Sequence, residues 1–143
     1  MSGPELTRET NIRRTANGVW THDGALVEHP GVRRAFDHWI DRDDEGRYLL
    51  RNSANWAFVE IEGAPVFALR ARVEAERVML ELSDGRVETL APESLRRDAE
   101  DFVYCSVRDG RLTAKFTRDA LMDIADAIDA LSNEGLFVVV SKV

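Results

Sequence analysis

Val19-Trp20-Thr21-His22-Asp23-Gly24-Ala25-Leu26-Val27 decides the reading of the fold, because the same kind of unit returns as Tyr104-Cys105-Ser106-Val107-Arg108-Asp109-Gly110-Arg111-Leu112-Thr113. Asp-Gly between two apolar runs marks a tight hairpin, since a two-residue turn of the type that fits strand twist needs positive φ at both central positions. Each hairpin precedes an amphipathic stretch and then a Glu-Gly pair leading into an apolar run: Glu45-Gly46-Arg47-Tyr48-Leu49-Leu50 in the first copy and Glu134-Gly135-Leu136-Phe137-Val138-Val139 in the second. The pattern is a hairpin-helix-strand unit used twice.

Between the hairpins the periodicities separate helix from strand. Pro30 suits a first helical position, and Val32, Ala35, Phe36, Trp39 and Ile40 come after it at helical spacing, leaving Arg33, Arg34, Asp37, His38 and Asp41 for water. Gly46 ends that helix or opens the turn after it. Tyr48-Leu49-Leu50 and Trp56-Ala57-Phe58-Val59 read as central strands. Phe67, Leu69, Ala71 and Val73 alternate with polar or small neighbours, as do Val78, Leu80 and Leu82, and Asp84-Gly85 turns the chain once more. Residues 65–91 are thus an antiparallel meander. Pro92 to Glu100 is polar and is the expected joint between halves. In the second copy Thr117 is the expected N-cap of a helix whose stripe is Leu121, Ile124, Ala125, Ile128 and Leu131. Asp119, Asp123, Asp126 and Asp129 line its wet side.

The predicted fold is α+β, with two similar lobes, each a bent antiparallel sheet wrapped on one helix, joined by the meander. The expected boundaries are a flexible segment 1–17, a first lobe with the meander over 18–91, and a second lobe over 92–143.

Composition narrows the function. The chain has 143 residues, 44% hydrophobic and 31% charged, enough for a sizeable core without disulfide or metal. A net charge of −7 and a pI near 5.0 argue against nucleic acid, whose phosphates need a cationic footprint. No run approaches the ~18 apolar residues of a membrane helix, and the first 17 residues lack the apolar core of an export signal. Cys105 is the single cysteine, which suits a reducing cytoplasm.

Three stretches are similar to the bacterial domain-of-unknown-function family 1285. They are Gly18-Val19-Trp20-Thr21-His22-Asp23-Gly24, then Arg42-Asp43-Asp44-Glu45-Gly46-Arg47-Tyr48, then Val103-Tyr104-Cys105-Ser106-Val107-Arg108-Asp109-Gly110. That family also opens with a Trp-bearing Gly-rich strand pair, places an acidic-Gly-aromatic turn after its first helix, and ends with an aromatic-Val-Arg-Gly segment. Ala25-Leu26 stands where the family's Pro-Ile would come after the first turn. The resemblance spans nearly the whole chain from about residue 12 onward. It implies two similar lobes, each a bent sheet around a helix, and a part in signalling, and it carries over no catalytic residues.

The candidate chemistry is sparse. Asp41-x-Asp43-x-Glu45-Gly46 resembles half of a calcium loop, but Asn52 occupies the position that should carry a bidentate Glu, so a solvated acidic turn is the expectation. Histidine is the usual general base near neutral pH, yet none of His22, His29 and His38 has a partner at ligand or triad spacing. Cys105 falls in an apolar strand and reads as a small buried hydrophobe. Trp39 fits the helix stripe, whereas Trp20 and Trp56 offer broad apolar faces with one N–H each, suited either to core packing or to lining a groove. The leading expectation is a non-catalytic binding or adaptor module holding a small molecule or protein near the seam of the lobes. Trp20, His22, Trp56 and Glu60 are its candidate ligand residues. No cofactor, resident metal, nucleic acid or membrane is expected, and the chain is expected to be a monomer or weak homodimer. The alternative is a small hydrolase pairing His22 with Asp43 or Glu60, and a third reading is self-assembly through an exposed sheet edge.

Overall fold

The computed structural model describes residues 8–131, with side chains to residue 125. The chain is α+β and divides into two compact units, the first ending at Gly63 and the second beginning at Ala64.

In the first unit, β1 (Ile12–Arg14), β2 (Trp20–His22) and β3 (Ala25–Leu26) form an antiparallel meander. Asp23 (φ 51°) and Gly24 (φ 83°) make the two-residue turn of the β2–β3 hairpin as the Asp-Gly pair requires. Helix α1 (Pro30–Trp39) then starts with Pro30 in its first turn, and the His29 ring caps it by accepting from Gly31 N–H at 3.0 Å. Three strands come next as a separate antiparallel sheet, β4 (Ile40–Arg42), β5 (Tyr48–Arg51) and β6 (Trp56–Phe58). Finally β7 (Glu60–Ile61) returns to pair in parallel with β1, giving the order β3-β2-β1-β7.

The second unit holds a six-stranded sheet in the order β10-β9-β8-β13-β12-β11. Its strands are β8 (Val66–Glu74), β9 (Arg77–Leu82), β10 (Val87–Thr89), β11 (Arg96–Arg97), β12 (Val103–Val107) and β13 (Leu112–Phe116). Helix α2 (Arg118–Leu131) packs chiefly on β8. The meander expected over 65–91 is present as β8, β9 and β10.

Several expectations differ from the structure. Ile12–Arg14 form a strand inside the segment expected to be flexible, because hydrogen bonds from Thr15 N–H to Val19 C=O and from Gly18 N–H to Thr15 C=O fold it back on β2. The division falls after Gly63, not in 92–100, and the meander belongs with the second unit because β8 pairs with β13. Neither large sheet is purely antiparallel: β1 with β7, and β8 with β13, are parallel pairs that join segments remote in sequence. Ile40 leaves the helix to begin β4 and is buried there. Trp56–Phe58 is an edge strand of half-buried residues. The expected closing strand of 136–140 and the residues Asp126, Ile128, Asp129 and Leu131 lie outside the described residues or side chains.

The alternation in β8 breaks at a bulge between Ala68 and Arg70. An extra residue in one strand reverses the phase of the residues after it. Val66 and Ala68 are therefore buried before it and Ala71 after it, while Leu69, expected inside, is 42% exposed. Helix α2 satisfies the groups the bulge leaves unladdered. Thr117, which caps the helix by accepting from Ala120 N–H at 3.2 Å, donates its hydroxyl to Leu69 C=O at 3.1 Å. Asp123 accepts from Ala71 N–H at 3.0 Å and from Arg70 at 2.8 and 2.9 Å. Asp123 is thus not on the wet side of the helix. The hydrogen bonds from Arg70, and then from Ala71 N–H, hold its carboxyl down to about 2.

A carboxyl held below its unfolded value of roughly 3.9 stabilises the fold fully above that value and loses the contribution as pH falls towards about 2. The difference in melting temperature between the native chain and Asp123→Asn is expected to be wide at neutral pH and to close on acidification, and a gap constant down to pH 2 would contradict the assignment. The β8–β9 turn offers a second test, since Ala75 (φ 49°) and Glu76 (φ 66°) occupy the left-handed region without glycine or asparagine. Replacing them with Asn-Gly is expected to stabilise by about 1 kcal/mol, read as a higher urea midpoint at unchanged slope.

Candidate functional site

Strand alternation builds an open concavity on the first unit. Side chains two residues apart share a face, so Asn11, Arg13 and Thr15 from the β1 segment, Thr21 and Asp23 from β2 and its turn, and Glu62 after β7 all project to one side. With Gly24 they line an open groove of about 470 Å³. The register places Arg13 between Thr21 and Glu60. Arg13 Nε meets Glu60 at 2.8 Å, while its Nη2 stands 3.8 Å from Glu62, too far for a hydrogen bond. Asn11 donates to Asp23 at 3.0 Å. The floor therefore carries one guanidinium, three carboxylates with Glu60 included, an amide and two hydroxyls.

The opposite face of the same sheet is core, and there Trp20 is fully buried. Its indole N–H donates to Asp37 on α1 at 2.9 Å, and its ring meets Phe36 edge-on at 5.2 Å. Asp37, expected in water, is turned inward by that bond. Arg14 lies beside this pair, buried, with its guanidinium 3.9 Å from Asp37 and 5.9 Å from the Trp20 ring. Burial pulls the Arg14 guanidinium below its ordinary value and the Asp37 carboxylate opposes the shift. Of the two tryptophans considered for a groove, Trp20 is thus a core residue.

Trp56 is half-buried and packs edge-on against Phe58 at 5.1 Å. The Arg8 guanidinium lies over its ring, 4.3 Å from the centroid. His22 is exposed at the end of β2, its Nε2 3.6 Å from the Asp23 carboxylate, and it does not line the groove. The carboxylates considered as its partners are engaged elsewhere, Glu60 with Arg13 and Asp43 with the backbone N–H groups of Glu45 and Arg47. Of the four residues expected to bind ligand, only Glu60 adjoins the groove.

The acidic turn does not gather around a point. Asp41 is drawn to Arg51 at 3.3 Å and to Arg42 N–H at 2.8 Å, and Asp43 closes the turn through its amides. Among the described residues no group of three or more His, Cys, Asp or Glu is placed to hold a metal ion. Cys105 is buried in β12, where burial, and then the nearby Glu88 carboxylate, push its thiol up to about 12.

The groove is hard to see in the sequence because it needs β1, which lies in a stretch without an apolar run. The two-residue period of Asn11, Arg13 and Thr15 against Ile12 and Arg14 is the available signal.

No family model matches the chain, and no curated protein does. Solved structures do match. The crystal structure of a DUF1285 family protein from Silicibacter pomeroyi DSS-3 superposes with a TM-score of 0.68 at 17% identity, over 86% of this chain and 72% of that one. A second DUF1285 family protein, from Shewanella baltica OS155, gives 0.64 at 19% identity, over 82% of this chain and 91% of that one. The chain has the DUF1285 fold. The resemblance read from the Asp-Gly and Glu-Gly segments is thereby supported at the level of the fold.

Within this DUF1285 fold the thiol of Cys105 is predicted to be inert. A thiol-reactive reagent at neutral pH is expected to leave the native chain unmodified and to label it stoichiometrically in denaturant. Rapid labelling of the folded chain would contradict the burial.

Proposed function

We propose that the chain is a non-catalytic binding module whose recognition surface is the polar face of the β3-β2-β1-β7 sheet. The observation that carries this reading is the groove of about 470 Å³ lined by Asn11, Arg13, Thr15, Thr21, Asp23 and Glu62, a volume in the small-ligand range. Apart from Gly24 its lining residues carry polar or charged groups, so hydrogen bonds and charge would supply orientation, and the ligand class it suits is a small, multiply hydrogen-bonding molecule. Arg13 is central because its Nη2 is close to Glu62 without being bonded to it, which leaves a donor for an incoming acceptor.

A signalling role belongs to the same proposal through the family resemblance, and a reducing cytoplasm suits the single buried cysteine. The finer reading of the fold, a repeated unit, is supported by the common order hairpin then helix in β2-β3-α1 and β12-β13-α2, each hairpin turning at an Asp-Gly pair.

A thermal-shift screen of polar metabolites and nucleotides tests the module. At a hundredfold excess over Kd a ligand adds about 2.7 kcal/mol, which corresponds to roughly 5 °C or more for a chain of this size. Thr21→Trp, which fills the groove from its floor and away from the core face of β2, is expected to abolish the shift without lowering stability. A screen with no hit, or hits that bind Thr21→Trp unchanged, would overturn the reading.

A further inference from the structure

The outer edge of β6 is already occupied by a short stretch of the chain itself. Phe58 N–H donates to Arg8 C=O at 2.7 Å, and Thr10 Oγ1 donates to Phe58 C=O at 2.6 Å. Between these two bonds the segment Arg8-Glu9-Thr10 crosses the edge of the three-stranded sheet. A paired strand would give Phe58 C=O an amide partner, and here a side-chain hydroxyl takes that place. The segment is a strap fastened by one main-chain bond and by its side chains.

Each of its three side chains has its own receptor. The Arg8 guanidinium lies on the Trp56 ring and donates Nη1 to Asn55 Oδ1 at 2.6 Å and to Trp56 C=O. Asn55 is itself oriented, because its Oδ1 also accepts from Trp56 N–H at 2.9 Å. The Glu9 carboxylate receives Arg47 Nη2 at 3.1 and 2.9 Å, and Arg47 is held over the Phe58 ring, 3.5 Å from its centroid. Thr10 meets the backbone of β6. An aromatic face with two oxygen acceptors, a fixed guanidinium, and a strand edge therefore recur at the spacing of consecutive residues.

We propose that the β6 edge with Trp56, Asn55 and Arg47 is a recognition site for an extended partner peptide that presents arginine, an acidic residue and a hydroxyl residue in succession. In the free protein, residues 8–10 fill it as an internal ligand. Binding adds a strand to a sheet edge, with main-chain bonds supplying the platform and the arginine on Trp56 supplying selectivity. The strap must lift for the partner to enter, so the site is self-inhibited by whatever hold Arg8 has on Trp56. This site is separate from the polar groove, which lies on the other sheet of the same unit.

The test uses the full chain and a synthetic peptide with the sequence of residues 6–11. Isotope-labelled Arg8→Ala is titrated with the peptide while the Trp56 indole N–H resonance is followed. Arg8→Ala is expected to bind at least about tenfold more tightly than the native chain, the factor matching loss of one cation–π contact with its hydrogen bonds. A peptide with alanine in place of its arginine is expected not to compete. Arg8→Lys, which keeps the charge but loses the planar fork, is the second variant should Arg8→Ala fail to fold, and it is expected to fall between the two. Equal binding by native and variant chains, binding of the arginine-less peptide, or no response at Trp56 in either variant would each overturn the proposal.

Discussion

In both units a carboxylate borne by a helix turns away from water and fastens that helix to a strand. Asp37 on α1 takes the indole N–H of Trp20 and stands beside the buried Arg14. Asp123 on α2 takes Arg70 and the amide that the β8 bulge frees. The apolar stripe alone would not place α1. α1 buries no residue completely, and its Val32 is 38% exposed. The stripe says which side faces the sheet, and the carboxylate says where along the strand the helix stops. Removing one partner from such a contact leaves a polar group in a poor environment, so the cost falls on specificity of docking as well as on stability.

Much of the architecture is legible in the sequence because hairpins are local. Asp23-Gly24, Asp84-Gly85 and Asp109-Gly110 all lie in turns, Pro30 opens α1, and Thr117 caps α2. What the sequence conceals is non-local. A parallel pair such as β8 with β13 has no turn between its strands, so nothing in either strand's pattern names its partner. The bulge is hidden for a related reason: an alternation that changes phase at Leu69 looks, residue by residue, like an uninterrupted one. Glu and Asp on a helix look solvated until the strand opposite them is known.

The functional surface is legible only in fragments. Trp20 and Trp56 are equal by composition and opposite in placement. One is sealed behind the sheet by Asp37 and Phe36, and the other lies under Arg8 at a sheet edge. His22 is the histidine of the first hairpin, but it alternates with Thr21 and so falls on the Trp20 side of β2, away from the groove. Thr21 and Asp23, flanking it in sequence, are the residues the groove uses. A shift of one position along a strand thus separates a lining residue from a bystander.

The two parallel seams are also the long-range closures of their units. Each hairpin can close within a few residues, but the β1–β7 contact brings Arg13 to Glu60, and the β8–β13 contact brings Lys115 to Phe67. Such contacts require closure of a long loop before they stabilise anything, which slows folding and leaves strand edges open meanwhile. In the second unit β8 and β13 are the central pair of the sheet, with a hairpin on either flank. Because α2 follows β13 directly in the chain and rests chiefly on β8, its docking and the parallel seam join the same two hairpins.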